Sequence, residues 1–140
     1  LKQKLDPSLT IENFRQGVAD LETLQPMLFS EGVVKERISL HRFVEITSTN
    51  AARLFGLFPR KGTIAVGSDA DIAIWDPNLT RKVEATRMQT RSDYSPYEGW
   101  EATGWPVMTL SRGETIYANG EVTAAPVRGR LVPQGPTQTL

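Results

Sequence analysis

The side chains that could do chemistry in this 140-residue sequence are few, and the scarcest is histidine, because His41 is its only example. General-base catalysis by an imidazole would have to use that residue, which follows Leu40 early in a predicted helix. A metal site built from several imidazoles is impossible within this sequence, and the absence of cysteine removes thiolate ligands, thiol nucleophiles and disulfides. We interpret His41 as a solvated surface residue.

Carboxylates are the next candidates. Asp69 and Asp71 form an Asp-x-Asp pair like the start of a calcium loop, but the apolar run 72–75 follows and no Glu lies at the required distance. We therefore predict a turn that leads into a strand. Three further carboxylates, which could in principle form an acid and base pair, lie on an irregular segment: Asp93, Glu98 and Glu101.

Two other patterns lack the context that their chemistry needs. Ser111-Arg112-Gly113 has neither the flanking glycines of a nucleophile elbow nor a nearby histidine, so we predict a turn or a β-bulge. Gly62 and Gly67 do not form a phosphate-binding loop, because no Gly-Lys-Ser/Thr follows and a strand comes next. Taken alone, these residues make no self-sufficient active site.

Composition excludes several classes of partner. Sixteen basic side chains balance sixteen acidic ones, so no excess positive charge exists to bind nucleic acid or an anionic membrane. The apolar runs are only a few residues long, too short to cross a bilayer. A hydrophobic fraction of 39% in 140 residues is typical of one globular unit.

Helical patterns occupy the first part of the chain. We predict a short helix near residues 21–31, interrupted by Pro26, and helices over 33–56 with a break near Ser48. Ser39 is the predicted N-cap, and Gly56 supplies the stop because it accepts the left-handed conformation.

Strand patterns follow the helices, which favours an α+β fold. The run 72–75 is a predicted strand closed by Asp76-Pro77-Asn78, residues 81–86 form a weak one, and 87–104 form an irregular excursion. Strands are also predicted at 107–110, 115–117 and 121–123, the last two joined by an Asn119-Gly120 hairpin turn. Residues 124–140 are expected to form an extended tail.

Two long stretches of this sequence resemble a known family. Residues 38–57 and 59–71, the latter ending in Gly-Ser-Asp-Ala-Asp, are similar to the C-terminal region of the cyclic amidohydrolases, which include hydantoinases, dihydropyrimidinases, allantoinases and dihydroorotases. Residues 93–99, 104–107, 111–113 and 128–130 resemble the D-hydantoinase and dihydropyrimidinase branch. The resemblance runs from about residue 16 to about residue 133.

The resemblance implies a parent enzyme with a (β/α)₈ barrel and a small β-sandwich. In that family two zinc ions, bridged by a carboxylated lysine and held by four histidines and an aspartate, support hydrolysis of the ring amide of hydantoins or dihydropyrimidines to N-carbamoyl amino acids. Those ligands would lie upstream of Leu1. This chain would then be scaffold without the metal site, and inactive when isolated.

The same resemblance predicts three parts: residues 1–57 as the last loop and helices of the barrel, 58–123 as part of the sandwich, and 124–140 as a tail that reaches a neighbouring subunit. It implies a cytoplasmic homo-oligomer, a dimer or a tetramer. The expected partners are the upstream barrel and a cyclic amide or imide substrate, with no nucleic acid and no membrane.

One substrate contact is expected in the loop 16–22. The family commonly has Asn-Gly-x-Pro-Gly-x-Glu here, and its Asn holds the cyclic amide through main-chain groups; Gln16 takes that position and Gly17 follows it. Ala19 and Asp20 replace the Pro and Gly, and residues 21–23 look closer to allantoinases and dihydroorotases. Those enzymes, and a noncatalytic assembly protein of dihydropyrimidinase-like fold, are the alternatives.

Overall fold

The computed structural model describes residues 5–13, 17–90 and 92–140. Helical segments come first and a four-stranded antiparallel sheet in the order β1-β2-β3-β4 comes second, which confirms the predicted α+β class. The helices are α1 (Leu24–Leu28), α2 (Leu40–Val44) and α3 (Asn50–Leu54), with π-helical segments at Phe29–Val34 and Glu45–Thr49 and a 3₁₀ turn at Ala85–Arg87. The strands are β1 (Ile72–Lys82), β2 (Glu101–Ser111), β3 (Glu114–Ala118) and β4 (Glu121–Val122). None of the helices in the described ranges combines the length and apolar character that crossing a bilayer requires.

The first helix begins later than its sequence pattern indicates. The carbonyl of Asp20 accepts hydrogen bonds from the backbone N–H groups of Thr23 and Leu24, at 3.0 and 2.7 Å, and the helix starts at Leu24. The predicted interruption at Pro26 is wrong. Pro26 lies in the first turn, where a backbone N–H has no helical acceptor, so proline costs nothing there and the chain stays helical to Val34.

The second helical stretch confirms its predicted ends but not its predicted break. The Ser39 hydroxyl oxygen accepts from the Arg42 backbone N–H at 3.1 Å, so Ser39 is the N-cap. Gly56 follows the helix with φ +64°, as expected of a helix stop. Between them the backbone stays helical through Ser48, and the irregularity takes the form of the π-helical segment Glu45–Thr49.

β1 is longer than predicted. Asp76-Pro77-Asn78 was expected to close the strand at Trp75, yet the strand continues to Lys82. The register explains this correction: Asp76 pairs with Trp105 and Thr80 pairs with Thr103, so three residues of β1 face one of β2. The extra residues form a bulge that absorbs Pro77, which has no N–H to donate to the ladder.

The irregular excursion, predicted at 87–104, is shorter than expected, because residues 101–104 belong to β2.

The two tight turns predicted at 111–113 and at Asn119-Gly120 are confirmed. Arg112 and Gly113 have φ of +51° and +80° between β2 and β3, and Asn119 and Gly120 have +54° and +88° between β3 and β4.

An aromatic cluster joins the helices to the sheet. The Phe29 ring stacks on Trp75 at 5.2 Å between centroids and meets Phe43 edge-on at 5.4 Å. Gly104 on β2 faces the same ring, since a Cβ built there would lie 2.1 Å from Phe29 Cδ1. Beside this cluster lies the core of Met27, Val83, Ala102 and Trp105.

An ion-pair network fixes the loop before β1. The Lys61 ammonium contacts the carboxylates of Asp69, at 2.8 Å, and of Asp71. Asp71 Oδ1 also accepts the Arg112 backbone N–H at 2.8 Å, which ties the loop to the β2–β3 turn. A turn leads into β1 here, as predicted. The Asp69 and Asp71 carboxylates, which were considered as the start of a calcium loop, both contact Lys61.

We expect this network to make the stability of the protein depend on pH in the acid range. The Lys61 and Arg60 hydrogen bonds hold the pKa of Asp69 below its ordinary value. Burial acts to raise the pKa of Asp71, but hydrogen bonds from Lys61 and the Arg112 N–H outweigh it and lower that pKa too. Because both folded-state pKa values are depressed, their stabilisation is present above the unfolded value of about 3.9 and is lost as pH falls through the folded values. We expect urea unfolding to show this loss of stability as the pH falls below about 4.

The matched variants are Asp71→Asn and Glu121→Gln, the latter removing an exposed carboxylate on β4. Asp71→Asn should weaken the protein at neutral pH and flatten the acid dependence, whereas Glu121→Gln should leave both unchanged. The same acid dependence in Asp71→Asn and in the original protein would contradict the assignment.

The tail 124–140 has no regular secondary structure, as expected, but it is not detached. Near its start, the Arg112 guanidinium donates to the Arg128 carbonyl at 2.7 Å and Arg128 pairs with Glu114. Near its end, the Gly135 backbone N–H donates to the Gly56 carbonyl at 2.8 Å. The tail therefore spans from the β2–β3 turn to the end of α3.

Candidate functional site

The candidate site is the segment 17–22, which precedes α1. Gln16, one of its two predicted substrate-binding residues, lies outside the described residues. Gly17 has φ +102°, a conformation that favours glycine, and its carbonyl accepts a hydrogen bond from the Tyr94 hydroxyl at 3.2 Å. The predicted main-chain role of Gly17 stays a prediction, and the structure adds that its carbonyl already has one donor.

The other end of the segment is held by Glu22. One oxygen of its carboxylate accepts the backbone N–H groups of Gln89 and Thr90, at 2.9 and 3.4 Å. Glu22 is exposed, so these bonds draw their strength from the charge on the acceptor rather than from burial. Segment 17–22 is thus attached at both ends to the excursion that connects β1 and β2.

That excursion is itself attached to the core. At its base the Val83 N–H donates to the Trp100 carbonyl at 2.7 Å, and the Gly99 N–H donates to the Val83 carbonyl at 2.9 Å. Glu98 accepts the Ala85 backbone N–H at 2.9 Å, and Val83 is only 1% exposed. The excursion is therefore held in place where it binds Gly17 and Glu22.

The helix that follows the segment is attached to the sheet as well. Ser30, at 6% exposure, accepts the Thr103 backbone N–H at 3.1 Å. Thr23, at the junction between segment and helix, is completely buried, and its hydroxyl donates to the Asp20 carbonyl at 3.1 Å. Segment 17–22 therefore lies between two elements with fixed positions.

The other candidate residues from the sequence do not converge on this segment. The His41 side chain is 87% exposed and lies 3.6 Å from Glu45, an arrangement of a solvated helix face, as interpreted above. Glu98 caps the 3₁₀ turn, Glu101 begins β2, and Asp93 accepts the Leu5 backbone N–H at 3.3 Å. Asp93 and Glu98 thus bind different parts of the backbone, and Glu101 lies at the start of a strand.

The residues present do not fit a metal centre. Across 5–13, 17–90 and 92–140, no three His, Asp or Glu side chains come together in a way that could hold an ion. The carboxylates of the Asp69 and Asp71 pair both contact the Lys61 ammonium. No step of any reaction can be derived through a metal bound by these side chains.

Sequence reasoning did not identify the residues that hold the segment. Tyr94 lies 77 positions from Gly17, and Gln89 lies 67 positions from Glu22. Both contacts use backbone groups on one side, which leave no signature in residue types. The available signal was the excursion itself, because an aromatic-rich segment of its length must pack on something.

Comparison with known proteins agrees with this fold. The profile of the amidohydrolase family matches residues 10–116. A D-phenylhydantoinase from Escherichia coli O1:K1 is 47% identical over 120 residues, which cover 86% of this chain and 26% of that protein. This chain therefore spans about a quarter of the length of the curated relatives that it matches.

Solved structures give the same result. A D-hydantoinase (dihydropyrimidinase) from a Thermus species superposes with a TM-score of 0.87 at 37% identity, over 96% of this chain and 30% of that one. A dihydropyrimidinase from Brevibacillus agri superposes with a TM-score of 0.80 at 44% identity, over 83% and 25%. Because the family profile covers well over half of its residues, this chain belongs to the amidohydrolase family.

Proposed function

We propose that this chain is the C-terminal part of a metal-dependent cyclic amidohydrolase, which hydrolyses the ring amide of hydantoins or dihydropyrimidines to N-carbamoyl amino acids. The observation that carries the proposal is the 47% identity with a D-phenylhydantoinase over most of this chain but only 26% of the relative. In this proposal the chain supplies scaffold, and the remaining three quarters supplies the catalytic barrel.

The parts of the chain receive proposed roles accordingly. The helices up to residue 57 would be the last of a (β/α)₈ barrel, the strands within 58–123 would belong to a small β-sandwich, and 124–140 would reach a neighbouring subunit of a cytoplasmic dimer or tetramer. A binuclear zinc centre, which would activate water for attack on the ring amide, would be held by residues of the barrel upstream of Leu1. The isolated 140-residue chain is expected to be inactive.

The proposed contribution of this chain to substrate binding is backbone recognition at Gln16 and Gly17. A ring amide presents its N–H and C=O side by side in the cis arrangement, and main-chain N–H and C=O groups can pair with both. Such recognition depends on the path of the backbone more than on side chains, so a Gln can replace the Asn of the family. The fixed course of 17–22 supports this role.

The test is ring opening by the full polypeptide that carries this chain, supplied with zinc. We expect hydrolysis of a 5-substituted hydantoin and of dihydrouracil, at least about tenfold faster than that of allantoin or dihydroorotate. Product formation is followed as N-carbamoyl amino acid, and removal of zinc by a chelator should abolish it.

Other outcomes of this assay would assign a different function to the full polypeptide. Preferential hydrolysis of allantoin or dihydroorotate would replace the proposed substrate with that of the alternative enzymes. Failure to open any of the four rings with zinc present would overturn the enzymatic proposal in favour of a noncatalytic assembly protein. The 140-residue chain alone is the matched control, and ring opening by it would contradict its role as scaffold.

A further inference from the structure

We propose that Asn119 is a site of spontaneous covalent modification, at which water converts the side-chain amide to aspartate and isoaspartate through a succinimide ring formed with Gly120. The β3–β4 hairpin, which holds both residues in its turn, sets the rate of this reaction. The inference does not rest on the proposed function, because the chemistry needs no substrate and no group from outside the chain except water.

The reaction balances with water as the only added reactant. The Gly120 backbone nitrogen bonds to the Asn119 side-chain carbonyl carbon, and the side-chain nitrogen leaves as ammonia, which carries away the proton lost from the Gly120 amide. A water molecule then opens the resulting ring. Cleavage of the bond to the side-chain carbonyl carbon gives aspartate, and cleavage of the bond to the backbone carbonyl carbon gives isoaspartate. No atom is oxidised or reduced.

The residue after Asn119 distinguishes it from the other asparagines of the sequence. The four asparagines are Asn13, Asn50, Asn78 and Asn119, and they are followed by Phe, Ala, Leu and Gly, respectively. A side chain on the following residue crowds the attacking backbone nitrogen, and glycine has none. Around Gly120 the fold adds no obstacle, since no atom lies within 4 Å of a Cβ built there.

The turn is open to the water that the second step needs. Asn119 and Gly120 are both exposed, and so are Glu121 and Val122, the two residues of β4 that follow. Exposure by itself does not set Asn119 apart, because Asn78 in the bulge of β1 is exposed too. Asn78 precedes a leucine, so it serves as an internal reference for an exposed asparagine without a following glycine.

A small hairpin holds the turn. β4 is two residues long and forms two residue pairs with β3. The next residue, Thr123, adds two hydrogen bonds, from its backbone N–H to the Ile116 carbonyl at 2.9 Å and from its hydroxyl to the Thr115 carbonyl at 3.1 Å. Few contacts therefore keep the turn closed, and a hairpin of this size opens at a low cost in free energy.

Opening of the hairpin is the step that admits the reaction. Ring closure needs the Asn119 backbone to rotate until its side-chain carbonyl carbon reaches the Gly120 nitrogen. In the closed hairpin both residues have left-handed φ values, +54° and +88°, which the pairing of β3 with β4 maintains. The rate of modification therefore follows the fraction of molecules in which this hairpin is open.

The two products have different effects on the hairpin. Aspartate before glycine suits the same two-residue turn as asparagine, so this product keeps the fold. Isoaspartate adds a carbon atom to the main chain inside the turn, which displaces the pairs of Tyr117 with Val122 and of Ala118 with Glu121. Isoaspartate therefore releases β4 from the edge of the sheet.

The first experiment incubates the full polypeptide that carries this chain in neutral buffer and follows each asparagine by peptide mass spectrometry. Asn119 should be converted at least about tenfold faster than Asn78, because the following glycine and the easily opened hairpin both favour it. Isoaspartate should be among the products, since direct hydrolysis of the amide gives aspartate only. Equal conversion at the two positions, or aspartate as the sole product at Asn119, would overturn the proposal.

The second experiment tests the hairpin with Thr123→Val and its matched control Thr137→Val. Each change removes a threonine hydroxyl that donates to a backbone carbonyl at 3.1 Å, but Thr123 binds within the hairpin and Thr137 binds Leu54 at the end of α3. Thr123→Val should raise the rate at Asn119 about fivefold, since a hydrogen bond that closes the hairpin is lost. Thr137→Val should leave the rate unchanged, and equal rates in the two variants would overturn the role of the hairpin.

The third experiment examines the products, which anion exchange separates from the original protein by their added negative charge. Hydrogen exchange at the Thr123 N–H should be about fivefold faster in the isoaspartyl form. Asn119→Asp, which has the same charge on an ordinary main chain, is the matched control and should keep the original rate. Faster exchange in both forms, or in neither, would overturn the release of β4 by isoaspartate. None of these measurements depends on ring opening by the enzyme.

Discussion

Gly104→Ala is expected to destabilise the protein by about 3 kcal/mol, because two unfavourable terms add at this position. A Cβ there would lie 2.1 Å from Cδ1 and 2.4 Å from Cε1 of Phe29, far inside van der Waals contact. The residue also has φ +92°, which L-residues adopt only with strain. The free energy of unfolding, measured by urea titration, is the direct readout.

The Phe29 ring has little room to yield to the new methyl group. It is 6% exposed, stacks on Trp75 and meets the edge of Phe43, so a shift of the ring disturbs both contacts. Moving it would also affect the helical segment that carries Ser30, whose hydroxyl accepts the Thr103 N–H. The cost of Gly104→Ala therefore spreads through the contact between helix and sheet.

Gly113→Ala is the matched control for this prediction. Gly113 has φ +80° but no atom within 4 Å of a built Cβ, so the substitution should cost only the backbone strain, about 1 kcal/mol. Phe29→Ala supplies a second check, since removal of the ring should make the double variant less destabilised than the sum of the single ones. Equal losses at Gly104 and Gly113 would show that the close approach to Phe29 carries no energy.

Local chemistry explains which elements could be predicted from the sequence. The Ser39 N-cap, the Gly56 helix stop and the Asn119-Gly120 turn each depend on the conformational preference of one or two residues. Such preferences act within a few positions of the chain and need no knowledge of the rest of the fold. These elements therefore appear where the residue types indicate them.

The errors arise where distant residues override local preference. Asp76-Pro77-Asn78 has the composition of a turn, but pairing with β2 on both sides keeps β1 continuous and turns the sequence into a bulge. Residues 101–104 likewise follow an aromatic and glycine-rich segment, and the pairing of residues 101–103 with residues 82–80 brings them into the strand. Tertiary pairing thus decided both strand boundaries.

In the candidate site, too, the local motif was predicted and the long-range contacts were not. Gln16 and Gly17 were reached by resemblance to a family motif, because a short loop motif is visible in the sequence. The hydrogen bonds from Tyr94 to Gly17 and from Gln89 to Glu22 were not predicted. Each joins a side chain to a backbone group more than sixty residues away. Such contacts exist only once the excursion between β1 and β2 has folded onto the core.

Gly56→Ala is expected to release the end of the tail from α3. A Cβ at Gly56 would lie 1.9 Å from the Gly135 carbonyl oxygen and 2.7 Å from its carbonyl carbon, and both are backbone atoms that cannot rotate away. The Gly135 N–H to Gly56 carbonyl bond, at 2.8 Å, would be lost with the contact. Hydrogen exchange at Gly135 and at Gln138, whose N–H donates to the Arg53 carbonyl at 3.1 Å, should approach the rate of an unprotected amide.

The tail is a sensitive reporter because little apolar burial holds it. Its last residues are exposed, and its attachment consists of hydrogen bonds to carbonyls at the end of α3, including one at 3.1 Å from the Thr137 hydroxyl to Leu54. Carbonyls in the last turn of a helix lack a full set of intrahelical donors. The tail adds donors to two of them, Leu54 and Arg53, although the Arg53 carbonyl also accepts the Gly56 N–H at 3.1 Å. The left-handed conformation of Gly56 adds strain of about 1 kcal/mol to the alanine variant, which should appear in the free energy of unfolding.

Gly129→Ala is the matched control, because it adds the same methyl group to the tail at a position with no atom within 4 Å and an ordinary φ. It should leave exchange at Gly135 and Gln138 and the unfolding free energy unchanged. If Gly56→Ala preserves protection at both amides, the contact between Gly56 and Gly135 does not hold the tail. A loss of protection in Gly56→Ala alone would instead show that the close contact at Gly56 holds residues 135–138 against the end of α3.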